Sequence, residues 1–231
     1  MIGISKTVFL ALAFICAAEP ALGERLAMKG VSLGMSMKAY KIVRPDPGVN
    51  IVETRCKDGK CKPVTVRQSH DQCSHEGRIS VCRATDTLAG VQNAQLLTIF
   101  VDGTAAAISA SFDGDDENLE KVKIAIDLKH GQPTKSEDFL QGLQGHRWNI
   151  NGELIALSPR PCANAFWLNT PSRALMSAAA MSESSPACSG QVAYGNHLGM
   201  LFMIDPQGVS AGMQALQEMS KDTKAQNARD L

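Results

Sequence analysis

Gln95-Leu-Leu-Thr-Ile-Phe-Val101 runs into Asp102-Gly103, and Ala105-Ala-Ala-Ile-Ser-Ala-Ser-Phe112 runs back. The first segment has the composition of a strand. Asp-Gly is the pair that a two-residue hairpin favours, because both central residues take positive φ. On the return, Ala106, Ile108, Ala110 and Phe112 alternate along one face. A hairpin here makes antiparallel sheet the frame of the fold, and the neighbouring segments extend it.

Downstream, Asp113-Gly-Asp-Asp-Glu117 leads into a helix with Leu119, Val122 and Ile126 as its apolar stripe, flanked by Ala125. Gly131 ends that helix and Pro133 forbids its return. Arg147-Trp-Asn-Ile150, Asn151-Gly152 and Glu153-Leu-Ile-Ala-Leu157 form a second hairpin. Ala163 to Leu168 reads as another strand, and Thr170-Pro171 opens a helix with Leu175, Ala178 and Met181 inward. Leu198 to Ile204 is a buried strand, Met213 to Met219 a helix, and the last ten residues are polar and expected to fray.

Upstream, Ser36 caps a short helix in which Met37, Tyr40 and Val43 share a face, stopped by Pro45 and Pro47. Ile51–Thr54, Val64–Val66 and Arg78–Cys82 are short strands in a stretch dense in cysteine and basic residues. Strands in hairpins with helices between blocks give an α+β fold: an antiparallel sheet with helices packed on one face, stapled by disulfides.

The 231 residues carry 23 Lys+Arg against 23 Asp+Glu, with 44% apolar residues. That balance excludes a disordered or fibrous chain. Residues 1–23 read as a secretory signal peptide: Lys6, an uncharged run from Val8 to Ala18, then Ala21-Leu22-Gly23 before Glu24. An apolar run of 11 residues is short of the roughly 20 that span a bilayer, so no stable membrane span is expected. The main domain is placed at 24–206, with a division into two sub-blocks near 84–94, and a helix and tail at 207–231. The basic and acidic residues segregate. Residues 24–83 hold 12 Lys+Arg and 6 Asp+Glu, and residues 84–231 hold 10 and 16. The halves either neutralise each other when packed or present a basic face to an anionic envelope surface; the sequence favours the first.

Beyond the signal, Cys56, Cys61, Cys73, Cys82, Cys162 and Cys188 remain. An even number after an export signal reads as three disulfides in an oxidising compartment, with 15 pairings open. Local spacing favours Cys56–Cys61 across the turn Lys57-Asp58-Gly59-Lys60, then Cys73–Cys82 and Cys162–Cys188.

Three clusters invite a chemical reading. Gly30-Val31-Ser32-Leu33-Gly34 fits the serine-hydrolase pattern G-x-S-x-G, yet no earlier strand precedes it to supply an oxyanion hole, so a tight turn before the Ser36 cap is the better reading. His70, Asp71 and His75 surround Cys73 and are the metal candidates. A disulfide at Cys73 would remove its thiolate, and the histidines are five apart in a loop, so a solvated loop is favoured. Asp113 to Glu117 lacks the pattern of a calcium loop, and acidic residues in a first helical turn complement the dipole. His130, His146 and His197 are scattered and read as structural or exposed. There is no G-x-G-x-x-G and no phosphate-binding loop, and two Trp, two Tyr and a neutral total give nucleic acid little hold.

Four motifs in order carry a family resemblance. Lys29-Gly-Val-Ser-Leu-Gly-Met-Ser36, Ile99-Phe-Val-Asp-Gly103, Lys129-His-Gly-Gln-Pro133 and Trp148 are similar to the opening, hairpin, helix exit and following strand of small exported bacterial proteins with a BamE-like or β-lactamase-inhibitor-protein-like fold. His130 stands where that pattern has Tyr, and Ala105 where it has Leu. The resemblance spans about residues 29–168. It implies a non-enzymatic binding or inhibitor-type module of the periplasm, or a secreted one, whose partner is another envelope or secreted protein. It implies no cofactor and no catalytic residues. The alternative is a metal-dependent or hydrolytic envelope enzyme using the His70–His75 loop.

Overall fold

Asp102 and Gly103 have φ of 50° and 74°, and Asn151 and Gly152 have φ of 52° and 84°. Both expected hairpins therefore turn through left-handed residue pairs, whose twist matches that of the strands they join. The computed structural model describes residues 25–45, 49–57, 60–68, 72–138, 144–158, 170–182 and 198–229.

Eight strands form the main sheet. They are β5 (Cys73–Glu76), β6 (Ile79–Leu88), β7 (Val91–Val101), β8 (Thr104–Asp113), β9 (Lys135–Asp138), β10 (Gln144–Ile150), β11 (Glu153–Ser158) and β12 (Leu198–Ile204). The spatial order is β5-β6-β7-β8-β12-β11-β10-β9, antiparallel throughout. Two meanders, β5 to β8 and β9 to β11, are joined by β12. Its residue Leu201 sits opposite Ala110 on one side and Leu157 on the other. The close approach there requires glycine: a Cβ on Gly114 would collide with the backbone of Gly199. The segment 84–94, expected to mark a division, is occupied by the β6–β7 hairpin.

Before the sheet come β1 (Ala27–Met28), β2 (Val31–Ser32), α1 (Met37–Val43), β3 (Val49–Lys57) and β4 (Lys60–Gln68). The longer helices are α2 (Asp116–His130), α3 (Pro171–Ser182) and α4 (Pro206–Arg229). The N-caps follow the sequence. Ser36 Oγ accepts the Ala39 N–H at 3.2 Å, and Asp115 Oδ1 accepts that of Asn118 at 2.7 Å. At α4, Asp205 Oδ1 accepts from Gln207 and Gly208 at 3.0 and 3.2 Å.

The helices do not gather on one face, and this corrects the expectation. Tyr40 of α1 and Val122 and Ile126 of α2 pack with Phe100, Ile108, Ile155 and Leu201 in one core. Ala174, Leu175 and Ala178 of α3 and Val209 of α4 pack with Ile99, Val101, Ala156 and Phe202 in a second. Adjacent residues of one strand thus enter different cores. The physical reason lies in the strands: β7 and β12 are apolar at consecutive positions, and a sheet apolar on both sides must be covered on both.

Three smaller corrections follow. Val43 is exposed while Tyr40 is buried, so Met37, Tyr40 and Val43 do not share a buried face. The final helix extends from Pro206 to Arg229, because its Ala, Gln and Lys residues favour helix beyond the packed turns. At α3, the Ser172 N–H is satisfied by Glu76 Oε2 of β5 at 3.0 Å, while Thr170 Oγ1 lies 3.3 Å from Ser172 Oγ. The strand expected at 163–168 lies outside the described residues. No helix among the described residues is long and apolar enough to cross a membrane.

Candidate functional site

The feature that stands apart is the arm formed by β3 and β4. Among the described residues these strands pair only with each other, as a two-stranded sheet separate from the eight-stranded one. Their register places Arg55 opposite Lys62, Cys56 opposite Cys61, and Lys57 opposite Lys60. Cys56 and Cys61 are joined by a disulfide. Val52, Thr54, Arg55, Cys56, Cys61, Lys62, Pro63 and Thr65 are all exposed. Like charges directly opposite each other destabilise a strand pair, yet this ladder carries two such pairs on either side of a covalent bridge.

The second disulfide, Cys73–Cys82, ties edge strand β5 to β6, with Cys82 fully buried. Both pairings match the spacing argument. Cys162 and Cys188 lie outside the described residues.

The metal candidates are not brought together by what is described. His70 and Asp71 lie outside the described residues. His75 lies on β5, not in a loop, and its Nδ1 is 2.7 Å from Ser80 Oγ, its cross-strand partner. The loop reading fails because Cys73 to Glu76 pair with β6. Among the described residues there is no group of three or more His, Cys, Asp and Glu that could hold a metal ion. Ser32 lies on β2 opposite Ala27, behind a turn at Lys29-Gly30. The G-x-S-x-G stretch is therefore a small hairpin and not a strand-to-helix elbow. His197 lies outside the described residues.

The other titratable groups do structural work. Asp86 pairs with Arg44 at 2.7 Å and Lys29 at 3.9 Å, tying the end of α1 and the β1–β2 turn to β6. The Arg44 hydrogen bond, with one from the Thr87 N–H, holds the Asp86 carboxyl below the usual carboxylate range. The Leu26 N–H donates to Glu153 Oε2 at 2.7 Å, and Arg25 lies 3.7 Å from Glu153 and 3.5 Å from Asp205. His146 Nδ1 sits 2.9 Å from Ser136 Oγ, again a cross-strand pair. Burial, then the nearby Lys123 ammonium, push that imidazole below its ordinary value. Asp127 hydrogen-bonds to Lys123 and Trp148, so it is committed to the α2 exit.

The sequence reading identifies the Cys56–Cys61 turn and two short strands but misses the cationic ladder. The signal was present: Arg55-Cys56-Lys57 and Lys60-Cys61-Lys62 are near mirror images about the turn, so a hairpin centred there must oppose like charges.

No protein-family model, no curated protein and no solved structure matches this chain.

Proposed function

We propose that the chain is an exported, periplasmic or secreted, non-enzymatic binding or inhibitor-type module of the bacterial cell envelope, with another envelope or secreted protein as its partner. The observation that carries this reading is the β3–β4 arm, exposed and clipped by Cys56–Cys61. Among the described residues the arm pairs with itself and contributes no strand to the main sheet. An exposed segment held by a covalent staple fits a contact surface. The two disulfides are compatible with an oxidising compartment. The ordered motifs at Lys29–Ser36, Ile99–Gly103, Lys129–Pro133 and Trp148 support kinship with BamE-like or β-lactamase-inhibitor-protein-like exported modules.

The enzyme alternative gains nothing from His75, whose ring nitrogen is engaged by Ser80. Nor does it gain from Asp86, Asp127 and Glu153, whose carboxylates anchor α1, α2 and the β1 strand.

The test is cross-linking in intact envelope, with a photo-reactive residue in place of Thr54 on the arm and of Lys121 on α2. The expected result is one identified envelope or secreted protein joined from position 54 and not from 121. Equal labelling from both positions, or a protein that retains residues 1–23 and stays in the cytoplasm, overturns the reading.

A further inference from the structure

We propose that Cys56–Cys61 is a redox clasp: an external thiol opens the bridge, the β3–β4 arm then loses its fold, and the arm's contact with a partner is lost with it. This rests on the reading of the arm as a contact surface, and it names how that contact is regulated.

The two disulfides differ in their surroundings. Each joins residues that stand directly opposite each other in an antiparallel pair. Cys73–Cys82 belongs to the main sheet, where Cys82 is fully buried. Its edge strand β5 has further anchors. His75 Nδ1 lies 2.7 Å from Ser80 Oγ, and Glu76 Oε2 accepts the Ser172 N–H at 3.0 Å.

The arm lacks such support. Among the described residues β3 and β4 pair with no third strand, and no helix or other strand packs extensively against either. The pairs that follow the bridge on the same face are Thr54–Pro63 and Val52–Thr65, and all four residues are exposed. Pro63 has no N–H to offer a ladder.

A two-stranded hairpin by itself is marginally stable in water. The bridge spans a sequence separation of 5. Closing so short a loop raises the folded population of its hairpin by roughly 30-fold. For a marginal element that factor decides between folded and unfolded. A strand held in the eight-stranded sheet does not depend on it.

The bridge is also open to attack, because Cys56 and Cys61 are both exposed. The thiolate of a small-molecule or protein thiol attacks one sulfur, the S–S bond breaks, and the other cysteine leaves as a thiolate. A second external thiol then displaces the first cysteine from the mixed disulfide. Two external thiols become one disulfide, and their two electrons and two protons end on Cys56 and Cys61. Exchange with an external disulfide runs the same steps in reverse and closes the clasp.

The experiment is hydrogen–deuterium exchange of the mature protein, oxidised and after glutathione treatment, with alkylation to show which bridge has opened. It is read beside the photo-cross-link from position 54 in envelope extract at each redox state. Cys56→Ser with Cys61→Ser supplies an open arm without reductant. On opening, the amides of 49–57 and 60–68 should lose protection by roughly 30-fold, while those of β6 to β8 keep theirs. The oxidised protein should cross-link to its partner from position 54, and the opened protein and the serine variant should not.

A bridge that glutathione does not open, an opened arm that keeps its protection, or equal cross-linking in both states overturns the inference. If the arm loses protection on opening but position 54 captures no protein in either state, the binding-module reading fails and the redox dependence of the arm stands.

Discussion

Trp148 donates its indole N–H to Asp127 Oδ1 at 3.2 Å and to the Gly131 carbonyl at 2.9 Å. A residue of β10 thus supplies one shared N–H donor at the C-terminal end of α2, where helix carbonyls lack partners of their own. The other Asp127 oxygen takes Lys123 Nζ at 2.6 Å, and the Gly131 N–H returns to the Asp127 carbonyl at 2.8 Å. Trp148 is buried, so the indole contributes both apolar burial and the lock between helix and sheet.

Trp148→Phe separates those two contributions. The ring still fills most of the site, but the Asp127 and Gly131 acceptors lose their donor. The expected loss is about 1–3 kcal/mol in urea unfolding, with Trp148→Ala costing more, about 3–5 kcal/mol. Combined with Asp127→Asn, the effect should be less than additive, since both variants break one network. Strict additivity would refute the lock.

His146 gives a pH dependence of defined sign. Its folded value lies below the ordinary 6.5, because burial and then Lys123 disfavour the imidazolium. Between the folded and unfolded values the unfolded chain binds more protons, so stability is full above about 6.5 and declines as pH falls below it. An NMR titration should place His146 below 6.5, and Lys123→Gln should move it upward. An unchanged titration in that variant would assign the shift to burial alone.

Asp86 acts at lower pH. Its carboxyl is held below the ordinary 3.8 by the Arg44 hydrogen bond first, then by that of the Thr87 N–H. This stabilisation is present above the unfolded value and is lost as pH falls through the folded one. Asp86→Asn should therefore cost about 1 kcal/mol near neutrality, and the gap from the parent should close in acid. A gap that persists below the folded value would mean that packing, not charge, is what the substitution removes.

The turn between β6 and β7 places Ala89 at φ 49°, ahead of Gly90 at 85°. A left-handed residue with a Cβ carries a steric cost of roughly 1–2 kcal/mol. Ala89→Gly removes it at an entropic cost of about 0.4–1 kcal/mol. A net gain of about 0.5 kcal/mol is expected from denaturant midpoints. A loss would show that the methyl's packing against the first core outweighs the backbone strain.

These turns also show how much of the architecture is legible in sequence. Asp102-Gly103 and Asn151-Gly152 announce their hairpins because both residues of each pair tolerate positive φ. Ala89-Gly90 carries only half the signal, and β6 reads from sequence as ending at Cys82. β12 is legible as a strand, but its place between β8 and β11 depends on partners distant in the chain. Two-sided burial is written in Leu96-Leu97 and Leu201-Phe202, whose neighbouring residues enter different cores. Reading the hairpin order alone hides that, because antiparallel sheets often leave one face to solvent. Of the arm, spacing gives the disulfide, and the near mirror-image triplets on either side of the turn give which residues stand opposite each other.

The two disulfides should separate under mild reduction. Cys56 and Cys61 are both exposed, while Cys82 is fully buried against the first core. Lys and Arg beside Cys56 and Cys61 stabilise the thiolate that leaves when an external thiol attacks, which makes that bridge more reducible. Glutathione should therefore open Cys56–Cys61 while Cys73–Cys82 persists, as read by differential alkylation and peptide mass spectrometry. Cys73→Ser with Cys82→Ser should cost about 2.5 kcal/mol, the loop-closure value for a span of this length. The same spectra of the native protein test the sequence reading of the remaining cysteines. A mature chain that begins at Glu24 and gains six hydrogens on full reduction has a third bridge, which leaves Cys162 and Cys188 as its members. A gain of four would leave both as thiols and remove that bridge from the fold. Opening of Cys73–Cys82 first would mean that burial of Cys82 does not shield the bond, and that β5 detaches from the sheet edge before the arm unfastens.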